Sequence, residues 1–417
     1  WRLVNETYFD APFNGGDWPR IRETFRPRAE RASTVAELRS VIQEMLSLVG
    51  GSHLQLLPAD IVDGPTPTPA GSTVLPSSSP VVMDGDLGMD VRALDGRVLV
   101  TRVDPSQSAD RAGVKPGWVL STMDGLPFQG RGGADRRKSD ASITARAQRR
   151  FVGPAGSRVQ IEFRDGTDQT VTRQLERRAR AGRMVKLDNL PEEYVVVTHE
   201  WLPSPAGTRI GVIAFNSWAA PVVEQFASAI QALSEADGLI IDLRGNAGGI
   251  AQLIPAIASH FFDHPVVLGT WIHRGGEIPI KTDSRPHTPQ NPGRAAFHGR
   301  IAILIDGLSH SATELFAAGI QSVGRGRVFG EVSYGGAIGA VYTRLPNGDV
   351  LEHAVVQFVT AKGETFDGRG VVPDQPVALS RESLIAGEDA VLLAARKWIE
   401  TPGHRAPREH ARPRVRS

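Results

Sequence analysis

The 417 residues include no cysteine. Disulfides, thiolate metal sites and a cysteine nucleophile are thereby excluded, while the compartment stays open. Net charge is almost absent as well. With 47 lysines and arginines against 46 aspartates and glutamates, the formal charge is +1, and no strong attraction to nucleic acid or to an acidic membrane surface is expected. Arginines do gather between Arg131 and Arg150 and in the tail "PREHARPRVRS", but a basic patch alone reads as solvated surface. No apolar run approaches the roughly 20 residues a membrane helix needs, so no integral membrane segment is expected. The chain begins at Trp1 rather than at a methionine; the expectation is a removed leader and export to a periplasm or the exterior.

What is present is a globular composition, 41% hydrophobic and 22% charged, in a chain long enough for two or three domains. From Thr34 to Leu48, Val35, Leu38, Val41, Ile42, Met45 and Leu46 fall largely at helical spacing. Thr34 and Glu37 fit a cap for that helix. It stops at Gly50-Gly51, with Ser52-His53 directly after. The stretch "VDGPTPTPAGSTVLPSSSP", from Val62 to Pro80, reads as a linker.

Short strand patterns follow, at "VLVTRV" from Val98, "RVQIEF" from Arg158 and "QTVTRQL" from Gln169. From about Met184 the pattern changes. "RIGVIAF", "GLIIDLRG" and "RIAILIDG" read as buried strands, alternating with helical stretches near 222–236, 250–262 and 311–323. A last helix is expected near 383–398. Strands alternating with helices imply a layered α/β domain.

Two loops carry the chemistry. "DLRGNAGG", Asp242 to Gly249, can turn tightly and present backbone N–H groups; it lacks the lysine and Ser/Thr of a phosphate loop. "LSHSATELFAAG", Leu308 to Gly319, starts a helix at Ser311. Ser311-Ala-Thr-Glu314 is a capping box, and a serine there also sits among unpaired N–H donors that suit an oxyanion. The residues alone leave cap and nucleophile both open.

"GLIIDLRGNAGG", "LIDGLSHSATELFAAG", "GEVSYGG" and "DGRGVVPD", in this order, resemble the carboxyl-terminal processing and tricorn-type serine peptidases of family S41. The resemblance implies an α/β fold with a ClpP/crotonase-like layered core. It also implies an N-terminal helical region at 1–62, a linker at 63–80, an inserted PDZ domain at 81–180, a peptidase core at 181–380 and a C-terminal helix and tail at 381–417. In the PDZ domain, "DLGM" matches the loop that receives a peptide's terminal carboxylate: Asp86, Leu87, Gly88 and Met89.

Carboxyl-terminal processing peptidases use a serine–lysine dyad, and the position of their lysine is Gly336 here. The tricorn-like branch instead takes a histidine preceded by a serine from the N-terminal region. Ser52 and His53 match that pair, and an acid before the closing motif, here Asp367 where the family usually has glutamate, completes the relay. A serine hydroxyl needs an imidazole to take its proton, and the imidazole needs an orienting acceptor. The resemblance thus assigns Ser311 as nucleophile, His53 as base, and Ser52 and Asp367 as relay. Ala312 and one of Gly248 or Gly249 are assigned as oxyanion donors. Ser309 and Lys362 are the alternative nucleophile and base, and His310 is expected at the rim. The implied activity is endopeptidase action on unstructured peptides or protein tails without metal or cofactor. The competing expectation is a non-catalytic relative that binds apolar ligands or acts as a PDZ scaffold.

Overall fold

The computed structural model describes residues 1–59, 84–128, 135–186, 192–283 and 296–401; the expected linker at 63–80 and the tail beyond 401 lie outside them. The chain opens with helices α1 (Arg2–Thr7), α2 (Trp18–Glu30) and α3 (Val35–Ser47). Thr34 caps α3 as its spacing predicts, accepting from Glu37 N at 3.1 Å. Strand β1 (Gln55–Leu57) follows.

A β-rich unit comes next, with strands β2 (Met89–Leu94), β3 (Arg97–Val103), β4 (Val119–Met123), β5 (Arg158–Arg164) and β6 (Thr170–Glu176) in that order across one antiparallel sheet. Helix α4 (Arg136–Phe151) packs on it. The sequence reading takes the arginines here for solvated surface and expects no helix. Its signals are an Asp135 cap on Lys138 N and the spacing of Ile143, Ala147 and Phe151, which bury in a core separate from the rest.

The second half builds two further sheets from β7 (Val197–Leu202), β8 (Ile210–Phe215), helix α5 (Ala220–Ala232), β9 (Gly238–Asp242), β10 (Val267–His273), β11 (Gly276–Lys281) and β12 (Arg300–Ile305). The remaining elements are helix α6 (Ala312–Ser322), β13 (Arg327–Gly330), β14 (Ile338–Arg344), β15 (Val350–Thr360), β16 (Gln375–Pro376) and helix α7 (Ala390–Glu400). One sheet runs β7-β8-β9-β12-β13-β16, parallel except at the β7 edge.

Its strands are apolar at successive positions because both faces are covered. Ile213, Ile241 and Ile303 join the core beneath α5 and α6, while Val212, Ile240 and Leu304 meet Val391, Ala395 and Ile399 of α7. The other sheet runs β1-β15-β10-β11, with β14 also paired to β15. Beside it, α1 to α3 pack a core that includes Ile338, Leu351 and Ala354.

Two expected helices differ. The stretch 250–262 is one α turn at Ile254–Ala258 between 3-10 turns, since Pro255 cannot donate the backbone bond a longer helix would need there. The stretch 383–398 is two helices, parted at Gly387, whose φ of 74° ends the first.

Candidate active site

β12 delivers the chain to Ser311, which is the N-cap of α6. Its backbone sits at φ 54°, ψ −123°, a region a non-glycine residue occupies only when its surroundings impose it, at about 1–3 kcal/mol. Glu314 is what imposes it. The carboxylate accepts from Ser311 N at 3.0 Å, Gly336 N at 2.8 Å, Gly335 N at 2.7 Å and the Ser333 hydroxyl. Burial pushes the Glu314 carboxyl up, and these four donors oppose the shift. The capping box is present, but its glutamate also joins the nucleophile loop to the loop at 333–336.

That second loop continues into the acid. Ala337 N donates to Asp367 Oδ1 at 2.9 Å, and Gly368 N donates to Gly335 O at 2.8 Å. Asp367 in turn accepts from the Ser52 hydroxyl at 2.6 Å and from Ser52 N at 3.1 Å. Ser52 Oγ lies 2.8 Å from His53 Nδ1. The proton positions follow by elimination. The one Ser52 O–H goes to the acceptor-only carboxylate, so Ser52 Oγ accepts from Nδ1–H and the lone pair of the neutral ring is on Nε2. Aspartate, though a methylene shorter than glutamate, reaches because Gly50 and Gly51, at φ 74° and 88°, fold Ser52 back toward it. Pairing of β1 with β15 fixes the segment just beyond His53.

Burial pushes the His53 imidazole below its ordinary value of 6.5, and Glu352 and Asp367 act against that. His310, expected at the rim, is half-buried. Its ring stacks on His53 with centroids 4.9 Å apart. Tyr334 meets the His310 ring edge-on, with centroids 4.6 Å apart. Burial, His53 and Lys138 push His310 down to about 3, so it stays neutral. A side chain at Gly336, the position of the dyad lysine in the other branch, would overlap His310 Nε2.

The glycine loop follows β9. Gly248 N donates to Asn246 Oδ1 at 2.9 Å, so of the two glycines expected as donors its N–H is already engaged. Among the described residues, Gly249 N and Ala312 N have no hydrogen-bond partner. A Cβ on Gly248 would stand 2.7 Å from Ser311 Cβ and 3.1 Å from Ala312 N. Glycine therefore keeps the space in front of the nucleophile clear. Buried Trp218 braces this loop, donating from N to Gly248 O and from Nε1 to Thr313 Oγ1.

The alternatives find other roles. Ser309 is fully buried, donates to Leu243 O at 2.9 Å and accepts from Asp306 N at 3.0 Å. Lys362 is exposed in the turn after β15.

Sequence reasoning missed Asp306, which accepts from Gly245 N and Leu308 N and so ties the glycine loop to the nucleophile loop. Arg92 of β2 donates to it at 2.6 Å. Burial alone raises the Asp306 carboxyl, but Arg92 and the backbone donors bring it below its ordinary value. Arg137 of α4 donates to Ser333 O and Arg369 O. No motif carries these contacts. Among the described residues there is no cluster of metal-binding side chains and no helix long and apolar enough to cross a membrane.

A serine at a helix start, a hydrogen-bonded Asp367–Ser52–His53 relay and free amide donors are the parts a serine hydrolase uses on a carbonyl. Residues 209–377 match the model of peptidase family S41, and residues 1–47 match that of the tricorn protease C1 domain. The protein is a serine peptidase whose residues 209–377 match the S41 peptidase family.

Among its relatives, the chloroplastic carboxyl-terminal-processing peptidase 2 of Arabidopsis thaliana is 25% identical over 390 residues, covering 91% of this chain and 68% of that protein. The putative tricorn protease homolog 2 of Streptomyces coelicolor is 24% identical over 99% of this chain, which spans 33% of that longer protein. The photosystem II D1 C-terminal processing protease shares the fold, with a TM-score of 0.56 at 21% identity over 96% of this chain and 95% of that one.

Proposed function

We propose that the protein is an endopeptidase that cleaves unstructured peptides or protein tails with Ser311 as nucleophile and His53 as base. The observation that carries this reading is the continuous relay His53–Ser52–Asp367, which leaves the Nε2 lone pair of His53 free. Nε2 takes the proton of Ser311 as Oγ bonds to the scissile carbonyl carbon, and the carbonyl π electrons move onto oxygen. Ala312 N and Gly249 N stabilise that oxyanion. The proton then passes to the leaving amine nitrogen as the C–N bond breaks, and water repeats the sequence on the acyl-enzyme. No metal or cofactor enters. A fluorophosphonate probe should label Ser311, located by peptide mass mapping. Labelling elsewhere, or none in a folded protein, would reject the assignment.

In the same reading, residues 81–180 are a PDZ domain that docks substrate tails, the core at 181–380 has ClpP/crotonase-like layering, and the protein works after export. Two contacts bear on docking. Asp86 Oδ1 accepts from Gly88 N at 2.8 Å, and Ala93 N of β2, which a docking strand would need as a donor, already donates to Thr144 Oγ1 of α4 at 2.8 Å. Docking between β2 and α4 therefore requires the helix to yield. A peptide with a free C-terminus should then bind more tightly than its amide, because the carboxylate must displace Asp86 from Gly88 N. Equal affinities in a titration would remove the docking role.

A further inference from the structure

Glu352 on β15 is a buried carboxylate that the relay does not use. It is 3% exposed. Gln55 Nε2 donates to Oε2, and the Tyr342 hydroxyl donates to Oε1 at 2.9 Å. Both are neutral. Burial and Glu352 itself hold the Tyr342 phenol far above its ordinary value, so it remains a donor. Two neutral donors satisfy lone pairs but supply no counter-charge, and a carboxylate is rarely buried without one. Among the described residues, the one ionisable base at ion-pair distance is His53, whose Nε2 lies 3.8 Å from Glu352 Oε1.

The atom that Glu352 faces is the one that must accept the proton of Ser311. We infer that Glu352 is a second positioning acid for His53, placed to stabilise the imidazolium from its Nε2 side while Asp367 acts through Nδ1. The distance supports this division. At 3.8 Å the carboxylate lies beyond hydrogen-bond length, so it exerts its charge without capturing the proton that the leaving amine must receive. The position follows from pairing: β1 lies antiparallel to β15 with Gln55 opposite Glu352, which puts the carboxylate beside the residues just after His53.

The other groups facing His53 do not duplicate this charge. Asp367 adds charge from the Nδ1 side, where Ser52 stands between it and the ring, His310 is a neutral ring stacked on its face, and Tyr334 contacts His310 with Lys138 over it. Glu314 is committed to Ser311 N and the loop at 333–336.

This inference rests on His53 being the base, so the experiment separates the two. The pH profile of kcat/KM is measured with a fluorogenic peptide for the unaltered protein, Glu352→Gln and His53→Ala, each checked for its melting temperature. Glutamine still accepts from Tyr342, and the Gln55 amide can turn to accept from the new NH2. Removing one negative charge beside the ring should move the acid limb to lower pH by about one unit or more. It should also lower plateau kcat about tenfold with KM kept.

An unmoved limb in folded Glu352→Gln, with His53→Ala inactive, overturns the inference and spares the base. Activity in His53→Ala overturns the base itself. Should Glu352→Gln not fold, carboxyl-carbon NMR on Ser311→Ala decides the matter. The Glu352 resonance must inflect at the midpoint of the His53 ring, and a flat titration there rejects the pairing.

Discussion

Ser311→Ala is expected to lower peptide turnover by about 10⁴-fold or more while the protein stays folded. The loss is large because in the proposed mechanism the hydroxyl forms the acyl bond, and the nearest alternative, Ser309, is buried and holds Leu243 O. The fold survives because little of the cap depends on that hydroxyl. Glu314 still accepts from the backbone N–H of residue 311, and Glu314 N keeps the carbonyl of residue 311 at 2.8 Å. Losing a cap side chain costs about 0.5–2 kcal/mol, which shifts a melting temperature by a few degrees. Calorimetry beside a peptide assay tests both halves. Retained hydrolysis would move the nucleophile, and a collapsed melting transition would make the cap the principal role.

His53→Ala is expected to remove activity by a comparable factor, with Ser52→Ala and Asp367→Asn intermediate and Lys362→Ala close to the unaltered protein. The ranking follows from distance to the proton. In the proposed mechanism His53 accepts it and Ser52 and Asp367 orient the ring, whereas Lys362 is an exposed turn residue. The pH dependence has a definite sign. Because burial lowers the His53 pKa, the neutral base is available at lower pH than for a free imidazole. The rate at limiting substrate should therefore rise with pH through a midpoint below 6.5. A lysine base would place the midpoint on the alkaline side unless burial lowered it by several units. An alkaline midpoint, together with activity in His53→Ala, would sink the histidine mechanism.

Much of this site was legible because its signals are local. Ser311 and Glu314 stand in one capping box, Ser52 and His53 are adjacent, and the central strands announce themselves as apolar runs. The missing parts share a different physics. Glu352 faces His53 through strand register, Asp306 receives Arg92 from a separate sheet, and Trp218 braces the glycine loop from another strand end. None of these pairs has a spacing in sequence, since each depends on how finished elements pack. Helix α4 went unread for a related reason. Its arginine-rich exposed face hid the Ile143, Ala147 and Phe151 stripe that fills the small core.

The overlap between any side chain at Gly336 and the ring of His310 bears on how such sites change over time. A lysine cannot enter at 336 while His310 keeps its present place, and shrinking His310 first strips the ring that supports His53. Each single replacement damages the working arrangement before the other one is assembled. Passage between a histidine-based and a lysine-based site on this scaffold therefore runs through a poorly active intermediate.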